Sequence, residues 1–245
     1  MAQKIIIASG KGGVGKSSLT IGLARALSAK DRRVMVMDFD IGLRSLDILF
    51  GVTPQVVFDW GDVLSGRCDP KHAFLKLKEK LFFVSAPLRM RDEFSPGALG
   101  KMAAILNSSF DYLLFDSPAG LTSPGFVLAA GISDSAVLVS TPDDLCVRSV
   151  AAAARELTRF GVREQRLLIN RLTKKPILRG KLPNIDEVID ATGVRLLGVV
   201  PEDFGITEYF SKGLPLPNDN FANLAFQRIA GRMEDEPIPL DVKII

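Results

Sequence analysis

Short, unbroken apolar runs alternate along this chain with longer stretches in which apolar residues return every three or four positions. The short runs lie at Ile5–Ala8, Arg33–Asp38, Leu81–Ser85, Tyr112–Asp116, Ala136–Ser140, Arg166–Ile169 and Leu196–Val200. Continuous rather than alternating hydrophobicity marks strands buried on both faces, as in a parallel sheet. The longer stretches predict helices over Lys16–Ala29, Phe58–Leu64, Pro96–Asn107, Ser123–Ala130, Leu145–Phe160, Ile185–Ala191 and Asn220–Met233. Strands and helices in alternation predict an α/β fold: a doubly wound, mostly parallel sheet with helices on both faces. Its ligands belong at the C-terminal ends of the strands. No internal repeat, low-complexity tract or linker interrupts the pattern. Residues 1–245 are therefore expected to form one domain, with 235–245 as a short irregular tail.

Composition narrows the function more than the fold. A hydrophobic content of 47% permits a sizeable core, and 31 basic against 28 acidic residues leave a net charge of only +3. That balance, with no basic run to track a phosphate backbone, predicts no direct nucleic-acid partner. Cys68 and Cys146 stand far apart and form no CxxC, which suits a reducing cytoplasm. His72 is the only histidine, so a histidine-based metal site or catalytic triad is not expected. The opening apolar run is too short for a secretory signal, and no apolar stretch is long enough to span a bilayer.

Candidate chemistry begins between the first strand and the first helix. Gly10-Lys11-Gly12-Gly13-Val14-Gly15-Lys16-Ser17-Ser18 contains the phosphate-binding pattern G-x-x-x-x-G-K-[ST], in the strand–loop–helix context that the pattern requires. Backbone N–H groups of Gly12, Gly13, Val14, Gly15, Lys16, Ser17 and Ser18 can converge on phosphate oxygens where side chains would obstruct them. The helix N-terminus adds its dipole to the same anion. Lys16 is expected to reach the β- and γ-phosphates, and the Ser17 hydroxyl to ligate Mg²⁺. A phosphate loop needs one lysine. The second, Lys11, is expected to point away from its own subunit's phosphates and contact a nucleotide held by a facing subunit, as an arginine finger does.

Three later strand ends return to the same sheet edge. Val34 to Asp40 is an apolar strand ending in two carboxylates. Asp38 and Asp40 share a face if the strand stays extended. A carboxylate there can hold metal-bound water, orient an attacking water, or cap a helix. Leu113-Leu114-Phe115-Asp116 delivers Asp116 to the Mg²⁺ region, as in the Walker B role, and Pro118 and Gly120 permit a tight turn behind it. Asn170-Arg171 and Pro201-Glu202-Asp203 end two further strands. An amide at Asn170 carries both donor and acceptor, which suits an adenine edge and equally suits an ordinary strand end.

Taken together, these residues resemble the MinD/ParA family of deviant-Walker P-loop ATPases, the MinD branch most closely. The resemblance rests on Ser9–Ser17, Asp38-Phe39-Asp40-Ile41-Gly42-Leu43-Arg44-Ser45-Leu46-Asp47, Asp116-Ser117-Pro118-Ala119-Gly120 and Pro201-Glu202-Asp203, and runs from residue 2 to about residue 235. It implies a cytoplasmic ATPase that binds ATP and Mg²⁺, dimerises face to face around two nucleotides, and serves a protein partner of the division or positioning machinery. It also implies roles. Lys11 acts across the dimer, with Lys16 on the phosphates, while Asp40 positions the hydrolytic water. Ser17, Asp38 and Asp116 form the metal shell. Asn170, Arg171, Pro201, Glu202 and Asp203 hold the adenine.

Two stretches depart from the family pattern. MinD proteins end in a basic amphipathic helix that lies on membranes. The run Glu236 to Ile245 has only Lys243 as a basic residue and too little chain after Pro239 for such a helix. Direct membrane binding is not expected, and any membrane association is expected to run through a partner. The Val147-Arg148 pair is followed by Ser149-Val150-Ala151-Ala152-Ala153-Ala154 in place of acidic residues, a face suited to helix packing. The competing functions are a ParA-like or flagellar-placement ATPase and a metabolic ATP-dependent enzyme, which would need a second substrate pocket. A nitrogenase-type iron protein would need a shared cluster, and Cys68 and Cys146 stand outside that family's motif contexts.

Overall fold

The computed structural model describes residues 1–240; the expectations for Val242–Ile245 lie outside the described residues. Among the described residues, eight strands form one sheet: β1 (Gln3–Ala8), β2 (Val34–Asp38), β3 (Leu75–Lys78), β4 (Leu81–Val84), β5 (Tyr112–Asp116), β6 (Ser135–Ser140), β7 (Glu164–Leu172) and β8 (Leu196–Pro201). Their spatial order is β3-β4-β2-β5-β1-β6-β7-β8, parallel throughout except for β3 against β4. Every residue of β2 and β5 is buried, as expected of central parallel strands covered on both faces.

The helices are α1 (Lys16–Ala29), α2 (Ser45–Phe50), α3 (Trp60–Leu64), α4 (Pro70–Ala73), α5 (Pro96–Leu106), α6 (Pro124–Ala130), α7 (Asp144–Arg159), α8 (Lys174–Leu178), α9 (Ile185–Thr192), α10 (Phe204–Phe210) and α11 (Phe221–Met233), with a 3₁₀ turn at Thr53–Gln55. The crossover β1–α1–β2 runs towards one sheet edge; those through α6, α7 and α9 run towards the other. Right-handed connections therefore put α1 on one face and α6, α7 and α9 on the other. α11 returns to lie on α1, where Gly22 lets the Phe226 ring approach so closely that a Cβ would meet it at 2.4 Å.

The seven strands and seven helices expected from the sequence all form, with ends shifted by up to a few residues. The short elements β3, α2, α4, α8 and α10 were not expected. β3 is amphipathic, with Leu75 and Leu77 inward and Lys76 and Lys78 exposed, so it resembles a loop in any local window. It exists because it pairs with β4 across a two-residue turn. Exposed lysines on that edge strand oppose pairing with another chain.

β1 lies between β5 and β6, where crossovers in the two directions begin. The loop following it, residues 9–15, occupies the crevice that this reversal opens at the sheet's C-terminal edge.

Candidate functional site

The loop after β1 owes its shape to glycine. Gly13 and Gly15 adopt φ of 76° and 94°, which L side chains rarely tolerate. At Gly15 a Cβ would also lie 2.5 Å from Asn170 Nδ2; at Gly10 one would lie 2.4 Å from the Ser149 carbonyl oxygen on α7. The loop is thus pressed against α7 at Gly10 and against β7 at Gly15, with no room for a side chain at either position, while Gly13 faces open space. That loop, at the N-terminus of the 14-residue helix α1, fits a phosphate chain.

Lys16 is buried, and its Nζ donates to Ser9 Oγ at 3.1 Å, while Ser9 Oγ donates to the Lys11 carbonyl at 2.7 Å. Burial lowers the Lys16 pKa, opposed by the charges of Asp116 and Asp40. Ser17 Oγ donates to Asp116 Oδ2 at 2.6 Å, which leaves the lone pairs of the hydroxyl oxygen available to a cation. The other oxygen, Asp116 Oδ1, accepts from Thr20 Oγ1 at 2.9 Å. Burial pushes Asp116 up to about 6, even though Ser17, Thr20 and Lys16 all favour its charged form.

β2 stops at Asp38, so Asp38 and Asp40 do not share a strand face. Asp38 is fully buried; its two oxygens accept from the backbone N–H groups of Asp40 (2.8 Å) and Leu46 (3.3 Å), and its carbonyl accepts from Trp60 Nε1 (2.7 Å). It pins both ends of the loop between β2 and α2. Burial and the nearby Asp116 raise its pKa well above the carboxylate range. Asp40 is half-buried, and its pKa is raised by burial and pulled back by the charge of Lys16. Phe39, Phe115, Trp60 and Phe94 pack in tilted and edge-to-face pairs with centroids 4.8 to 5.5 Å apart beneath this loop, giving it a rigid floor.

Lys11 is half-exposed at the outer rim, 3.5 Å from Asp143 Oδ1. Asp143 also accepts from the Cys146 N–H, capping α7, and from Thr141 Oγ1. Partial burial would raise the Asp143 carboxyl, but these hydrogen bonds and Lys11 outweigh it and hold it below its usual range. Gly12, Gly13, Val14, Lys11, Arg171 and Glu202 line a groove of about 340 Å³ that continues from the phosphate loop.

The residues assigned to adenine separate into two groups. Arg171, left-handed at φ 55°, and Glu202 face the groove. Asn170 is buried and donates through Nδ2 to the Val14 carbonyl at 2.8 Å; its Oδ1 is a buried acceptor with no hydrogen-bond partner among the described residues, the kind of vacancy a nucleobase amine can fill. Pro201 ends β8. Asp203 caps α10 through Gly205 N–H and accepts from Asn220 Nδ2, so both its oxygens serve the fold.

Ser9, Thr20, Ser45 and Asp143 complete the site; the sequence assigned no role to any of them, although Ser9 and Ser45 stand within the stretches that carry the resemblance. Thr20 carried a signal, since it stands three residues after Ser17 on the same helix face. Asp143 carried none, because only the assembled sheet edge brings it to Lys11. No group of three or more His, Cys, Asp or Glu among the described residues forms a cage for a metal ion. Mg²⁺ in a nucleotide complex needs no such cage, since phosphate and water oxygens supply most of its shell.

Comparison with known proteins places this geometry. The profile of the ParA family, described as "NUBPL iron-transfer P-loop NTPase", matches residues 1–233. The septum site-determining protein MinD of Bacillus subtilis (strain 168) is 33% identical over 249 residues, covering 99% of this chain and 92% of that protein. Among solved structures, the MinC:MinD cell division protein complex of Aquifex aeolicus aligns with TM-score 0.90 at 31% identity, over 98% of both chains. MinD from Pyrococcus horikoshii, complexed with Mg-ADP, aligns with TM-score 0.85 at 26% identity over 96% of both chains.

Proposed function

Because the chain belongs to the ParA/MinD family of P-loop NTPases, we propose that it is a MinD-like cell-division ATPase: a switch that binds Mg-ATP, dimerises in that state and resets on hydrolysis. The observation that carries this reading is the convergence on one sheet edge of Lys16, Ser17, Asp116 and Asp40, with a second lysine, Lys11, at the rim.

In this reading Lys16, buried and short of water, neutralises phosphate charge. Ser17, oriented by its bond to Asp116, would ligate Mg²⁺, with Asp38 and Asp116 as outer support. When bound, the ion supplies neutralisation of charge on the β- and γ-phosphate oxygens. Asp40, half-exposed beside Lys16, orients the attacking water. Asn170, Arg171 and Glu202 line the base end. Lys11 leaves Asp143 to reach a nucleotide in a second subunit, and its positive charge there acts on the developing phosphate charge. The partner is a protein of the division machinery, as the relatives' names suggest. In this reading it works in the cytoplasm, as the family resemblance implies. No helix among the described residues is long and apolar enough to cross a membrane. The iron-transfer wording of the family profile finds no support in the cysteines: Cys146 is buried behind Thr141, and Cys68 lies between α3 and α4.

Light scattering on Asp40→Ala tests the switch. A dimer with ATP and a monomer with ADP are expected. A monomer at all concentrations with saturating ATP would refute it. Co-sedimentation with anionic liposomes, with and without ATP, separates direct from partner-mediated membrane recruitment.

A further inference from the structure

The loop from Phe39 to Ser45 carries the water-orienting carboxylate of the proposed ATPase, and it is tied to the rest of the fold at few points: Phe39 N–H donates to the Asp116 carbonyl at 2.9 Å, Gly42 N–H donates to the Pro87 carbonyl at 3.1 Å, and the Asp38 carboxylate holds its two ends. Within it, Leu43 is 76% exposed. Arg44, the next residue, turns inward. It has a left-handed backbone (φ 53°, ψ 56°), which non-glycine residues rarely adopt. Its Nη2 donates to Asp47 Oδ2 at 3.1 Å, and the side chains are only 17% and 4% exposed. An arginine and an aspartate three apart on a helix end would gain little on the surface. Buried, they bind each other firmly, because neither has water to turn to.

The pair governs where Asp40 sits. The Asp40 carbonyl accepts from both Leu43 N–H and Arg44 N–H, each at 3.1 Å, so the turn closes on Asp40 itself. Arg44 sets the direction in which that turn leaves into α2. α2 begins at Ser45, whose Oγ is 3.4 Å from Ser17 Oγ. The Leu46 N–H then returns to Asp38. A different backbone angle at Arg44 would therefore move Asp40 and Ser45 together.

We propose, on the basis of the ATPase reading above, that the buried Arg44–Asp47 pair is a positioning device that holds Asp40 in its hydrolytic place. It touches no substrate. Arg44 Nε and Asp47 Oδ1 are buried without hydrogen-bond partners among the described residues, so the pair meets less than its full bonding capacity.

Turnover and Mg-ATP affinity are measured for Asp47→Asn, Asp40→Ala and the double variant, with thermal melting to confirm folding. Asp47→Asn is expected to lower kcat about 10- to 100-fold, the scale of a misplacement near 1 Å. Its Kd for Mg-ATP should stay within about threefold, because the phosphate loop is untouched. In the Asp40→Ala background, Asp47→Asn should add no further loss in single-turnover rate. A wild-type kcat in Asp47→Asn, with or without a lower melting temperature, overturns the proposal, as does a full additional loss on top of Asp40→Ala. If Asp47→Asn does not fold, Arg44→Lys, which keeps the charge and loses the planar fork, is judged by the same criteria. A wild type that does not hydrolyse ATP would instead strike the ATPase reading. Wild-type turnover in Asp40→Ala would strike Asp40's role, and this proposal with it.

Discussion

Asp116→Asn should stabilise the nucleotide-free protein at neutral pH while impairing nucleotide binding. Asp116 is buried completely, and its pKa rises from the ordinary 3.8 to about 6 because burial penalises the charged form. The native state therefore binds more protons than the unfolded chain between those two values, and stability falls as pH rises through that window. A shift of about two pKa units corresponds to at most ~3 kcal/mol, at 1.36 kcal/mol per unit, charged against the fold above pH 6. Asparagine keeps the shape, offers an acceptor to Ser17 or Thr20 and removes the charge. It also relieves Asp38, whose pKa the Asp116 charge helps to raise. The wild-type protein without nucleotide is expected to lose up to ~3 kcal/mol between pH 4 and pH 7 from this group, and the variant to lose none of it. At roughly 2–4 °C per kcal/mol for a chain of this size, the variant should melt several degrees higher at pH 7 and alike at pH 4. Urea unfolding at a series of pH values, with ethylenediaminetetraacetate present, measures the difference. Parallel pH curves for the two proteins, or a variant less stable at pH 7, would refute the reasoning. Calorimetry with Mg-ATP completes the test, since the same charge that destabilises the empty site is expected to be needed by the cation.

Other perturbations act on single parts of the site. Lys16→Ala removes the cation paired with buried phosphate and should abolish most ATP affinity; equal calorimetric affinity in wild type and variant would contradict this. Asp40→Ala should bind ATP and slow hydrolysis ~10²–10⁴-fold, measured by phosphate release, whereas wild-type turnover would place the water-orienting group elsewhere. Gly10→Ala drives a methyl group into the Ser149 carbonyl at 2.4 Å, and backbone there cannot swing aside. It should both lower the melting temperature and weaken ATP binding, and an unchanged melting curve would show that α7 yields.

Within about a dozen residues, local chemistry settled a good deal. An unbroken apolar run at Ile5–Ala8, a glycine loop and the helix from Lys16 are each determined by neighbours in the chain, so the phosphate cradle is legible in the sequence alone. The same holds for the buried strands that deliver Asp38 and Asp116 to one edge. What escaped was of two kinds. Short amphipathic elements such as β3 and α2 are stable only through their partners, and no window of sequence contains those partners. Side-chain roles were the other kind. Asn170 reaches Val14 across 156 positions of chain, and Thr20 reaches Asp116 across 96. Asp203 stands in a motif assigned to adenine, and no local pattern says that its oxygens also cap α10 and hold Asn220. A residue's type and local pattern limit what it can bond. Which of those bonds it makes depends on which groups the closed sheet brings within about 3 Å, because a buried polar atom must take the partner that is there.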